Sequence, residues 1–120
     1  MESPKTGNKA ITALLPLPDG RLLAGTRNGL VTLGGDGSEQ GWELPGLRIT
    51  SLSAGGGRLW VGIWKNGIRV RSDQGWTSVD TAAGLPANSV SDLAVGITAE
   101  LWVALYGEGV SRMPMELIVE

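Results

Sequence analysis

Short runs of alternating apolar and small or polar residues follow one another along the chain, and the pattern occurs three times. The three copies open with Ile-Thr-Ala-Leu at 11–14, Ile-Thr-Ser-Leu at 49–52 and Val-Ser-Asp-Leu at 90–93. These openings lie 38 and 41 residues apart. Alternation of this kind predicts β-strands with one buried face. The chain therefore carries an internal repeat of about 40 residues, which is a strong indication of a repeat architecture.

Each copy continues in the same way after its opening strand. A second strand follows, and then a turn that contains glycine and leads into a third strand; the turns are Asn28-Gly29, Asn66-Gly67 and Glu108-Gly109. The second strands place Leu23, Trp60 and Trp102 at equivalent positions, and their apolar surroundings predict that all three are structural core residues. A fourth strand is predicted to open at Gly41-Trp42 and Gly75-Trp76 in the first two copies and to include Ile118 in the third.

Four short strands in a repeat of this length are typical of one blade of a β-propeller. We therefore predict an all-β fold of three four-stranded blades. Blade 1 is assigned to residues 11–48, blade 2 to residues 49–89 and blade 3 to residues 90–120, and residues 1–10 are predicted to be a flexible lead-in.

The third copy resembles a known repeat family. The segment Gly84-Leu85-Pro86-Ala87-Asn88-Ser89-Val90-Ser91-Asp92-Leu93, followed by Leu101-Trp102-Val103-Ala104 and by Gly109-Val110, resembles the two-component regulator propeller repeat. The other copies match less fully, since the first has Leu23 in place of the tryptophan and the second has Ile63 in place of a threonine. The resemblance implies propeller blades, and it implies a sensor module of periplasmic or extracellular receptors that often recognise carbohydrates.

Three blades are fewer than the four to eight of a closed propeller. Each blade buries both faces against its neighbours, so an arc of three is expected to leave two apolar faces open. We predict that a second copy of the chain covers them in a homodimer with a six-bladed ring, because two-fold symmetry is the commonest in oligomers. A larger ring, for example of three chains, and a longer polypeptide that supplies the other blades remain alternatives.

The turns between the second and third strands of the blades are the predicted ligand-binding region, on the pore side of the propeller. Arg27, Trp64 and Tyr106 are equivalent there, and aromatic faces beside amide and charged groups suit a glycan or another small molecule. Arg27 could also stack on an aromatic ring across a blade boundary. The alternative interpretation is that the aromatic residues fill space and the charged ones are solvated. The candidate ligand-binding residues are Arg27, Asn28, Trp64, Lys65, Asn66, Tyr106 and Glu108.

The composition excludes several other functions. The sequence contains no cysteine and no histidine, so the usual nucleophile and base pairs of hydrolytic enzymes and the commonest metal ligands are missing. We predict no catalysis, no cofactor and no metal site. A net charge of -2 without basic runs does not favour nucleic acid, and no apolar run is long enough for membrane insertion. No signal peptide is recognised, so the compartment stays open.

Two functions of different classes follow. The first is a non-catalytic, sensor-type module that binds a ligand at the pore-side turns. The second is a structural or protein-interaction unit whose main property is self-assembly into a closed ring, which would explain the length of three blades directly.

Overall fold

A computed structural model describes residues 10–96 and 100–114 of the chain. Within these ranges it contains three antiparallel sheets, in which each strand pairs with the next along the chain. The first sheet, blade 1, consists of β1 (Ile11–Pro16), β2 (Leu22–Thr26), β3 (Gly29–Leu33) and β4 (Glu39–Glu43). Blade 2 consists of β5 (Ile49–Gly55), β6 (Arg58–Ile63), β7 (Gly67–Ser72) and β8 (Gly75–Val79), and a 3-10 turn at Thr81–Ala83 follows it. Blade 3 consists of β9 (Val90–Val95), β10 (Glu100–Leu105) and β11 (Gly109–Pro114).

The predicted all-β fold is confirmed in the described residues, in which blades 1 and 2 have the four predicted strands and blade 3 has three. The fourth strand predicted around Ile118 and the predicted lead-in at residues 1–9 lie outside them. Among the described residues, no helix has the length and apolar character needed to cross a membrane.

The first strand of every blade carries a β-bulge one residue after its start. The bulged residues are Thr12, Thr50 and Ser91, which are skipped in the pairing of β1 with β2, of β5 with β6 and of β9 with β10. A bulge leaves one residue unpaired and bends the strand. The same irregularity thus recurs at the same repeat position, and it places a hydroxyl side chain there in all three blades.

Adjacent blades bury a continuous apolar layer between them. One cluster joins blades 1 and 2 and contains Leu23, Leu30, Ile49, Leu59, Val61 and Ile63. A second joins blades 2 and 3 and includes Trp60, Ile68, Val90, Leu101, Val103 and Leu105. Alternate residues of β6 therefore serve different neighbours, with Leu59 and Val61 facing blade 1 and Trp60 facing blade 3. We call the side of a blade that points to the next blade its forward face and the other side its backward face.

The forward faces of blades 1 and 2 hold the next blade by the same two contacts. The hydroxyl of Thr12 donates a hydrogen bond to the carbonyl oxygen of Ile49 at 2.5 Å, and Thr50 donates to Val90 at 2.7 Å. In the same region the Ile49 side chain packs directly against Gly25, where a Cβ atom would come within 2.5 Å of its Cγ2. Gly62 receives Val90 in the same manner, with a Cβ only 2.8 Å from Cγ1.

A polar cluster joins blades 1 and 2 towards their outer strands. The Glu43 carboxylate accepts a hydrogen bond from the Arg71 guanidinium at 2.7 Å and another from the Trp76 indole N–H at 2.9 Å. The guanidinium also lies over the Trp76 ring, 5.5 Å from its centroid. Glu43 thus satisfies two donors of the neighbouring blade, which fixes the outer strands of the two blades relative to each other.

The sequence-based assignment of core residues holds for two of three positions. Leu23 and Trp60 are buried, whereas Trp102 is 41% exposed. The prediction that Trp102 is a core residue is wrong for this chain, because Trp102 lies on the forward face of blade 3, which no described residue of a further blade covers. The Arg112 guanidinium lies over its ring at 5.5 Å and also pairs with Glu100 at 3.0 Å.

The two ends of the arc are open to different extents. On the forward face of blade 3, Val110 is 66% exposed beside Trp102. On the backward face of blade 1, Leu14 is 58% exposed on β1, the first and inner strand of the blade. Ala24 on β2 and Val31 on β3 lie farther out and are fully buried. The apolar surface expected at both ends is therefore concentrated on β1 at one end and on β10 and β11 at the other.

Candidate functional site

The turns between the second and third strands and the connections between blades meet at one end of the arc. Backbone hydrogen bonds hold them together: the N–H of Trp64 donates to the carbonyl of Arg48, and the N–H of Tyr106 donates to the carbonyl of Ser89, both at 2.9 Å. Trp64 and Tyr106 are equivalent in the repeat. Each turn is thus anchored on the segment that enters its own blade, so the side chains at its tip are presented from a fixed backbone.

Trp64 and Tyr106 come together across the boundary between blades 2 and 3. Their ring centroids are 5.2 Å apart and their planes are inclined at 68°, which is an edge-to-face contact. The guanidinium of Arg48 lies over the Trp64 ring, 5.7 Å from its centroid. Tyr106 is 69% exposed and Trp64 is half-buried. We call the group formed by Arg48, Trp64 and Tyr106 the aromatic corner.

The other predicted site residues are all exposed. Lys65, Asn66 and Glu108 belong to the turns that carry the corner, and the remaining two lie in the turn of blade 1. Asn66 is used locally, since its amide donates to the carbonyl of Trp64 at 3.3 Å. Lys65 adopts a left-handed backbone conformation with φ 66, which the tight turn requires. The backbone N–H of Glu108 donates to Leu105 within the turn of blade 3 at 3.1 Å.

Arg27 and Asn28 form the corresponding turn of blade 1. The hydroxyl of Thr26 stabilises this turn, because it accepts from the N–H of Asn28 at 3.0 Å and donates to the carbonyl of Gly29 at 2.9 Å. No ring contact of Arg27 occurs within the described residues. The expectation that Arg27 stacks on an aromatic ring across a blade boundary is therefore not met. The arginine that lies over a ring of the corner is Arg48, which enters the same blade as Trp64.

Sequence reasoning missed Arg48 because it compared turns between second and third strands only. Arg48 precedes β5 in the connection from blade 1 to blade 2, next to Ile49. Its position directly before the repeat opening was a usable signal, since the connections between blades lie at the same end of a propeller as those turns.

The connection from blade 2 to blade 3 is hydrogen-bonded to the two turns that carry the corner. Leu85 is buried in the apolar layer between these blades, and the side-chain oxygen of Asn88 accepts from the N–H of Thr81 at 2.9 Å. The Asn88 carbonyl accepts from the N–H of Gly67 at 2.8 Å. The segment that carries the family resemblance is thus the one that links the turn of blade 2 to the base of β9.

The corner offers chemistry for a small polar ligand with an apolar face. Two nearly perpendicular rings can contact the C–H face of a sugar or the plane of another ring, and a guanidinium and a phenol hydroxyl can donate hydrogen bonds to its oxygen atoms. Within residues 10–96 and 100–114, no three carboxylate side chains lie close enough to bind a metal ion together.

Solved structures share this architecture. Two are extracellular domains of candidate hybrid two-component systems from Bacteroides thetaiotaomicron, with 24% and 14% sequence identity, TM-scores of 0.71 and 0.76, and 93% and 94% of this chain covered. A third is a catalytically inactive variant of virginiamycin B lyase from Staphylococcus aureus with quinupristin, with 14% identity, a TM-score of 0.69 and 93% coverage.

The chain spans 16% and 17% of the length of the two Bacteroides structures and 44% of the lyase. No protein-family model matches it, and no curated protein matches it. At these identities the likeness concerns the fold. It agrees with the blade fold implied by the resemblance of residues 84–110, and it identifies the three sheets as consecutive propeller-like blades.

Proposed function

We propose that this chain is a non-catalytic ligand-recognition module of the sensor type, and that it binds a carbohydrate or a similar small molecule at the aromatic corner. The observation that carries the proposal is the contact of Trp64 with Tyr106 across a blade boundary, with most of the Tyr106 ring exposed. Side chains that only fill space between blades are expected to be buried. A half-buried tryptophan beside an exposed tyrosine on anchored turns is instead what a binding surface needs.

The residue content supports a role without catalysis. The solved lyase structure is an inactive histidine-to-alanine variant, and this chain contains no histidine. The histidine that this lyase needs for activity therefore has no counterpart in this chain. The similar Bacteroides structures are extracellular domains, which supports placing this module outside the cytoplasm.

Alanine substitution at the corner tests the proposal. A broad panel first identifies the glycans that the unmodified chain binds. We expect Trp64→Ala and Tyr106→Ala each to weaken the affinity for these glycans by roughly tenfold or more, because a lost stacking contact is worth about 1–2 kcal/mol. Trp42→Ala is the matched control, since Trp42 is a partly exposed tryptophan on the outer strand β4. Binding that survives both corner substitutions, or that Trp42→Ala reduces equally, contradicts the proposal.

The open ends of the arc favour a second candidate function, self-assembly into a closed ring. Trp102 and Val110 are exposed on the forward face of blade 3, and Ile11 and Leu14 are exposed on the backward face of blade 1. Ile49 and Val90, the equivalents of Ile11, are fully buried against a preceding blade. A second copy offers each end the surface that it lacks, and two copies supply the six blades of a closed ring.

Light scattering over a dilution series tests the second candidate. We expect a mass twice that of the chain at high protein concentration. Leu14→Asp is expected to shift the protein to the monomer, because a carboxylate would then face the apolar surface of blade 3. A monomer at every concentration contradicts ring formation and leaves the proposed ligand site untouched.

A further inference from the structure

We infer that the forward face of blade 3 binds the backward face of blade 1 of a second copy. We also infer that Asp92 and Ala104 make this contact weaker than the contacts between blades of one chain. The inference rests on the second candidate function, self-assembly, and adds to it the residues that set its strength. The forward faces of the three blades are equivalent in the repeat.

The repeat pairs the two positions in question with two positions in each other blade. Asp92 is opposite Ala104 in the pairing of β9 with β10, as Ser51 is opposite Gly62 and Ala13 is opposite Gly25. Asp92 and Ala104 line a shallow cleft together with Trp102 and Val110. They therefore occupy the part of the forward face that receives the first residue of the next inner strand in blades 1 and 2.

Ala104 is larger than the residue that close contact requires. A methyl group at Gly25 would lie 2.5 Å from Cγ2 and 2.9 Å from Cβ of Ile49, closer than carbon atoms can approach. At the equivalent place blade 3 already has the methyl of Ala104. If Ile11 of a second copy approached as Ile49 does, its side chain would overlap this methyl, so the incoming blade must sit farther away.

Asp92 opposes close contact for an electrostatic reason. Ser51, its equivalent, is buried, and its hydroxyl has no hydrogen-bond partner within the described residues. The interface therefore offers no donor at this position. Asp92 is exposed here and accepts one hydrogen bond, from the N–H of Leu93 at 2.9 Å. Covering the Asp92 carboxylate would remove the water around a charged group, and no hydrogen-bond donor would take the place of that water.

The bulge residue of blade 3 indicates that the forward face of this blade receives a further blade. Thr12 and Thr50 donate to the first carbonyl of the next inner strand, whereas Ser91 donates to the carbonyl of Ala104 in its own blade at 3.2 Å. In a second copy, the carbonyl of Ile11 is the group equivalent to those of Ile49 and Val90. Ile11 and Leu14 of that copy are also the apolar side chains that its own chain leaves exposed.

The double variant Asp92→Ser with Ala104→Gly tests the inference. It gives blade 3 the residues that blade 2 has at Ser51 and Gly62, so folding is expected to tolerate it. The dissociation constant of the dimer is measured by light scattering or sedimentation over a dilution series of the full chain. We expect a decrease of about tenfold or more, the equivalent of one well-made contact. Ala54→Gly, which removes an exposed methyl group from β5, is the control and is expected to leave the constant unchanged.

Each outcome decides the inference. A weak, reversible wild-type dimer that the double variant tightens supports it. Equally tight dimers of both proteins overturn it but leave self-assembly intact. Monomers of both proteins at every concentration overturn the inference together with self-assembly, while the ligand proposal at the aromatic corner is tested separately by the glycan panel.

Discussion

Replacing Trp60 with alanine is expected to lower the free energy of unfolding by about 3–5 kcal/mol, the range for deleting a buried tryptophan side chain. Trp60 is fully buried between blades 2 and 3, and its indole N–H donates to the carbonyl of Gly55 at 3.0 Å. The substitution would leave a large cavity and remove this hydrogen bond. A domain of this size is stable by only about 5–15 kcal/mol. The midpoint of unfolding in urea should therefore move to a much lower concentration.

Trp102→Ala is the matched control, because Trp102 occupies the same position in the next repeat. Trp102 is 41% exposed, and the Arg112 guanidinium lies over its ring. We expect a loss of about 1–2 kcal/mol, measured at protein concentrations at which the chain is monomeric. Equal losses for the two tryptophans would mean that blade 3 is covered in the monomer, which contradicts the open face described above.

Gly67→Ala is expected to be the second strongly destabilising change. Gly67 has φ +73, a conformation that costs an alanine about 1–2 kcal/mol. Its Cβ would also overlap the backbone carbonyl oxygen of Val79 and lie 3.2 Å from the Cα of Asp80. Moving the end of β8 away is expected to cost roughly another 1–3 kcal/mol. Denaturant unfolding monitored by tryptophan fluorescence measures the sum.

Gly109→Ala separates the two contributions. Gly109 is the equivalent glycine of blade 3 and has φ +79, but in the described part of the chain no heavy atom lies within 4 Å of its ideal Cβ. Only the conformational cost of about 1–2 kcal/mol is expected. A loss at Gly109 as large as at Gly67 would show that contact with β8 is not what constrains the turn.

The repeat period and the turn residues were sufficient to predict the strands that the described residues contain and their grouping into three blades. Asn-Gly turns specify hairpins through backbone conformation alone, so they could be recognised without tertiary information. The fourth strands were less certain. Trp42 and Trp76 follow glycine alike, yet Trp42 pairs with Val31 near the end of β4 and Trp76 with Arg71 near the start of β8. A bulge between Thr32 and Leu33 shifts the first pairing, and local composition does not indicate such a shift.

Burial was the property that the sequence could not decide at the ends of the arc. Trp60 and Trp102 lie in equally apolar strands, and only the presence of a following blade makes one of them a core residue. The candidate site was predictable in part for a similar reason. The turns that hold Trp64 and Tyr106 follow from the repeat, but the contact between the rings and the approach of Arg48 depend on how neighbouring blades are placed.

The most direct test of ligand recognition at the aromatic corner is a titration of the 15N-labelled chain with glycans, followed through its indole N–H resonances. The five tryptophans provide reporters in different parts of the fold. We predict that a bound glycan shifts the Trp64 resonance in proportion to its occupancy and leaves those of Trp42 and Trp60 in place. A Trp64 resonance that no glycan moves, or shifts confined to the other tryptophans, would contradict the proposed site.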